Sequence, residues 1–222
     1  MSENTVITLA YCTFFSTLIP ITWGIAKWNK LSIAFKVFIG CYSVYFILFA
    51  LSFLLPKIKI STAIIPSLSD IHSTITYSSF IYFSTLDKKF RKIVFVTSSI
   101  VVLIGVVDLI LKFVIKSEIT IHANPIGNIF NITLITVFIT RIFSKLRNIN
   151  LSKNTTFLML ISILIPASYS FLYEAFSELL INENVNMYII LYGISFLIYA
   201  VRNLVFTYCI FSVKNNLSFK DL

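Results

Sequence analysis

The stretch Ile93–Ile115, IVFVTSSIVVLIGVVDLILKFVI, decides the fold. It runs 23 residues with two charges, Asp108 and Lys112, and no proline. A bilayer core needs about 20 predominantly apolar residues per helix, so this stretch reads as a membrane-spanning helix. Strands are no alternative. An open strand leaves its backbone groups unsatisfied in hydrocarbon, and a barrel strand needs only about half this length.

Working outward, six further stretches have the same character: Val6–Ala26, Ser32–Leu55, Ala63–Leu86, Ile126–Phe143, Thr156–Leu180 and Met187–Val213. The connections between them are short, and no leftover segment has the length of a soluble domain. The expected architecture is all-α: a single polytopic domain over 1–222, a bundle of seven transmembrane helices. The composition agrees, with 58% hydrophobic and 12% charged residues in 222 and a mean hydropathy of +0.91. Soluble domains hold roughly 45–50% apolar and about 25% charged residues. The 22 Phe and 11 Tyr, many near segment ends, suit the aromatic belts at bilayer interfaces.

Charge supplies orientation. A net charge of +9 raises the question of nucleic acid, but the cations fall in short clusters between apolar stretches, which is the pattern of topology. Lys27 and Lys30, Lys88, Lys89, Arg91 and Lys92, Arg141, Lys145, Arg147 and Lys153, and Lys214 and Lys220 lie on one side of a seven-span layout. Only Lys57, Lys59 and Lys116 lie on the other. Twelve against three predicts an external N-terminus and a cytoplasmic C-terminus in the cytoplasmic (inner) membrane. The start, Met1-Ser-Glu-Asn-Thr, has no basic region and no small-residue cleavage site follows the first apolar run, so that run reads as a retained anchor. Cys12, Cys41 and Cys209 are scattered in apolar stretches and form neither a disulfide framework nor a zinc spacing.

Polar residues on membrane helices mark faces turned toward protein. The seventh helix carries one stripe at helical spacing, Tyr188, Tyr192, Ser195, Tyr199, Arg202 and Phe206. The sixth carries Ser162, Pro166, Ser170, Tyr173, Glu174, Ser177 and Glu178. The fourth carries Ser98, Gly105, Asp108 and Lys112, and the fifth has Asn128 and Asn131 three apart. The third helix differs, with Asp70, His72 and nine Ser or Thr between Ala63 and Leu86. Asp70 and His72 sit on opposite faces, so this helix is expected at the centre of the bundle. Asp70, His72, Asp108, Asn128, Asn131, Tyr173, Glu174, Tyr199 and Arg202 form the candidate ligand-binding or intramembrane polar network. Most of these lie in the outer half, which predicts an outward-facing polar cavity. The competing reading of the same residues is interhelical hydrogen bonding that ties the bundle together.

Several chemistries are set aside. A retinal protein needs a lysine in its last helix for the Schiff base, and that helix offers Arg202. No Asn-Pro-x-x-Tyr occurs there, so the likeness to G-protein-coupled receptors is one of topology only. The two histidines, His72 and His122, make a poor set for an intramembrane metal hydrolase. No phosphate loop or nucleophile elbow is present. Leu18-Ile-Pro-Ile-Thr-Trp and Leu164-Ile-Pro-Ala-Ser-Tyr look alike, but their offset is wrong for an inverted-repeat transporter.

Trp28-Asn-Lys-Leu and Phe35-Lys-Val-Phe after the first helix, His72–Tyr77 in the third and Asn203–Tyr208 in the last resemble the small seven-helix membrane proteins of unknown function found in Bacteroidota-type bacteria. The tract Ser69-Asp-Ile-His-Ser departs from that pattern. The resemblance covers the helix layout and implies no activity. Some members are encoded near sensor-kinase genes, which implies such a kinase as a protein partner. The function expected is that of a sensory or accessory subunit that is not an enzyme, with no metal or other cofactor and no nucleic-acid partner. Its outer cavity would take a small ligand or a neighbouring protein. The alternatives are a small-solute transporter and, further off, an intramembrane hydrolase.

Overall fold

The computed structural model describes residues 3–59, 62, 64–115, 123–145 and 154–212. It is all-α over these residues, with seven α-helices: α1 (Glu3–Ala26), α2 (Ile33–Leu54), α3 (Ile64–Ser84), α4 (Lys88–Ile110), α5 (Ala123–Lys145), α6 (Thr155–Glu183) and α7 (Val185–Phe211). Short 3-10 turns follow α1 at Trp28–Lys30 and α2 at Leu55–Ile58, and wider π-type turns extend α4 through Leu111–Ile115. His122, Lys116, Arg147, Lys153, Lys214 and Lys220 lie outside the described residues, as does the side chain of Glu178.

Six of the seven helices are long and apolar enough to cross a membrane. The seventh expected segment, α3, is not among the six. Its Asp70, His72 and many hydroxyls dilute its apolar content below that of its neighbours. The expected boundaries also shift at α4, which begins at Lys88 instead of near Ile93. Asp87 caps it, accepting from the backbone N–H of Lys89 at 2.9 Å and of Phe90 at 3.2 Å. Phe90 is 4% exposed and anchors the added turn.

The helices group into two compact units. In one, α7 packs against both α1 and α6. Thr13 of α1 donates to the Phe196 carbonyl at 2.8 Å, and Asn203 of α7 donates to Ser16 Oγ at 2.7 Å. Lys27 Nζ donates to the Phe211 carbonyl at 2.7 Å and sits 4.2 Å above its ring, a cation at the negative end of α7. In the other unit α3 packs against α2, α4 and α5, so its two-sided polarity meets helices on several sides. Phe80 of α3 lies edge-on to Phe35 and Phe38 of α2, at 5.5 and 5.7 Å between ring centres. Phe90 of α4 stacks on Phe138 of α5 at 5.9 Å. Arg141 of α5 hydrogen-bonds Asp87 and lies 4.4 Å over the Phe90 ring.

Candidate functional site: a buried polar centre in the α2–α5 unit

Gly105 lets α3 and α4 approach closely. A Cβ built there would lie 2.7 Å from Ile71 Cγ1, closer than carbon atoms tolerate, so only glycine fits without a shift. One turn further along α4, Asp108 is brought into the interior at 1% exposure. Lys112, four residues on, donates to Asp108 Oδ2 at 2.7 Å from within the π-type turns. Single π-type turns in otherwise α-helical segments occur often at functional sites.

Asp70 of α3 lines the same cavity as Asp108, together with Ser67, Thr74 and Asn124. The cavity holds about 20 Å³, room for one water and for little more. Asn131 of α5, 2% exposed, donates through Nδ2 to Thr74 Oγ1 at 3.3 Å. Its Oδ1 is buried with no hydrogen-bond partner among the described residues. Two acids, Asp70 and Asp108, and one base, Lys112, thus stand at this centre. Among the described residues no group of three or more His, Cys, Asp and Glu has metal-binding geometry.

The nine candidate residues do not gather in one place within either unit. Asp70, Asp108 and Asn131 build the polar centre. His72 turns to the other side of α3, as the two-residue spacing requires. Its Nε2 lies 2.7 Å from the Cys41 carbonyl of α2; a carbonyl only accepts, so Nε2 carries the proton. Asn128 is half-buried on α5. The remaining four belong to the other unit. Tyr199 OH and Ser170 Oγ are 2.7 Å apart, tying α7 to α6. Tyr173 stacks with Tyr192 at 6.2 Å and lies tilted against Tyr188 at 5.5 Å, while Glu174 is half-buried on α6. Arg202 is 4% exposed, its guanidinium carbon 4.6 Å from the Tyr199 ring and 5.5 Å from that of Phe206. It lines an otherwise largely aliphatic groove of about 320 Å³ between α6 and α7.

For His72 and Tyr199, interhelical tying therefore describes the observed contacts better than ligand binding. Four residues missed in the sequence do comparable work: Thr13, Ser16, Thr74 and Asn203. Asn203 is 0% exposed and adjacent to Arg202, so it points roughly 100° away around the helix. A second polar face on α7 was the available signal. No protein-family model, curated protein or solved structure matches the chain.

Proposed function

We propose that the protein is a multi-pass protein of the cytoplasmic membrane that serves as a sensory or accessory subunit and signals through a protein partner such as a sensor kinase. The supporting observation is the ion pair of Asp108 and Lys112, with Asp70 on the same cavity, inside an apolar helical unit. Charged groups at such positions are expensive in hydrocarbon, and by default they mark function. The pair sits beside the tight Gly105–Ile71 contact and within a stretch of altered helical winding. A change of charge or contents at the centre would therefore bear directly on how α4 lies against α3. The opposite end of α4 carries Lys88, Lys89, Arg91 and Lys92, a cationic surface for an acidic partner segment.

The test is quantitative recovery of the full chain with a crosslinked partner from its native membrane, with and without Asp70→Asn. A stable kinase complex is expected, and the substitution should abolish the response at normal protein abundance. Loss of protein without selective loss of response would instead assign Asp70 to structure alone. A second reading has one observation in its favour. A water-sized cavity beside two carboxylates is the scale of a coupling cation in a small-solute transporter. Uptake into proteoliposomes that depends on Asp70 would establish transport over sensing.

A further inference from the structure

We propose that the cleft between α3 and α4, away from the polar centre, binds an uncharged, membrane-soluble molecule whose oxygen accepts a hydrogen bond from Ser78. The cleft encloses about 410 Å³, within the roughly 300–1,000 Å³ usual for small-molecule sites. Ser78, Ser79 and Tyr82 face it from α3, and Ser98 and Ser99 from α4. The rest of the wall is aliphatic or aromatic.

Ser78 is the decisive residue. Serine and threonine on apolar helices ordinarily return their hydroxyl proton to a carbonyl one turn back. Ser73 and Thr76 do so on α3, and Thr97, Ser98 and Ser99 do so on α4. Ser78 is as buried as Thr76 and more buried than the other four, at 4% exposure, yet its Oγ has no hydrogen-bond partner among the described residues. A buried hydroxyl without a partner is unfavourable, and a ligand oxygen in the cleft removes the penalty once Ser78 turns its hydroxyl to another staggered rotamer facing the cleft. Ser98 and Ser99 have committed their protons to the Phe95 carbonyl, so each still presents oxygen lone pairs. The cleft therefore offers Ser78 as its buried donor, further hydroxyls from Ser79 and Tyr82, and several acceptors against a greasy wall.

No lining side chain is charged, and an ionised ligand would lose its hydration without compensation. The matching chemistry is a neutral apolar body with a carbonyl or hydroxyl oxygen, which a quinone ring and a diacylglycerol both supply. This goes beyond the sensory reading, because binding at the cleft requires neither a partner nor the polar centre.

The test uses the full chain in nanodiscs of zwitterionic lipid, photolabelled with a diazirine-bearing octanol and mapped by mass spectrometry. Adducts are expected in 75–83 and 94–102, and adducts confined to other segments would overturn the site. Ser78→Ala removes one hydrogen bond and should lower labelling about five- to tenfold. Because it also deletes an unpaired buried hydroxyl, it should leave thermal stability unchanged or raised. Labelling of this variant at wild-type efficiency would refute the role of Ser78. Competition by a short-chain benzoquinone alone assigns the ring, and competition by a diacylglycerol alone assigns the lipid alcohol. Competition by neither overturns the proposed ligand class.

Discussion

The Asp108–Lys112 pair is asymmetric, and that asymmetry sets what mutations do. Asp108 is 1% exposed while Lys112 keeps 31% of its side-chain surface, so the lysine can swing its charge toward a polar region and the aspartate cannot. Lys112→Met takes its cation from a buried carboxylate and should destabilise the protein by about 2–4 kcal/mol. Asp108→Asn leaves a lysine that can reorient and should do less harm, about 1 kcal/mol. The double substitution should recover most of what Lys112→Met loses, read as thermal unfolding in detergent. Simple additivity of the two losses would show that the pair is not coupled. A neighbouring test concerns packing. Gly105→Ala forces its new methyl against Ile71 and should cost about 1–3 kcal/mol, relieved when Ile71→Ala opens space. At this scale the sequence was informative about residue type and poor about partners. Asp70 and Asp108 stood out as intramembrane acids. That Asn131 meets Thr74 depends on the rotation of α3 against α5, which spacing along either helix does not fix.

Helix ends follow from capping more than from hydropathy. Lys88 to Lys92 reads as a charged loop, yet Asp87 and Phe90 together begin α4 there. Asp87 has two tasks, accepting from two backbone N–H groups and bonding Arg141. Asp87→Ala loses both and should lower stability by about 1–2 kcal/mol. Asp87→Asn keeps a competent cap and should retain most of that stability, since the half-exposed ion pair with Arg141 is worth little. If Asn and Ala prove equally damaging in unfolding experiments, the charge pair outweighs the cap. The stripe on α7 was legible because Tyr188, Tyr192 and Tyr199 recur at helical spacing and do meet α6. The stretch Leu111–Ile115 was not, because nothing in Leu-Lys-Phe-Val-Ile separates a π-type turn from an α-helical one.

At the scale of the molecule, helix number and composition were readable, whereas the grouping of helices was not. Sequence neighbours tend to be spatial neighbours, yet α1 packs on α7, a pairing of two ends that no local signal announces. The charge pattern is weaker than it looks for the same reason. If α3 stayed out of the membrane, Lys57 and Lys59 would join the Lys88–Lys92 cluster while Lys27 and Lys30 moved across to join Lys116. The balance would again be twelve against three, now with the N-terminus cytoplasmic. Both layouts place the C-terminus inside, so a fusion after Leu222 cannot separate them. Packing can. Phe80 meets Phe35, and His72 meets Cys41, so α3 runs antiparallel alongside α2. Ile71 meets Gly105, and Tyr82 shares a cleft with Val94, so it runs antiparallel alongside α4 as well. Its 21 residues rise about 32 Å, enough for the hydrocarbon core, with its polar groups turned toward partner helices. A third helix laid along two spanning ones should cross with them. A topology reporter inserted near Ser61 should therefore read external, while one near Leu86 and one after Leu222 read cytoplasmic. Cytoplasmic signal at Ser61 would remove α3 from the membrane and carry the N-terminus inside with it.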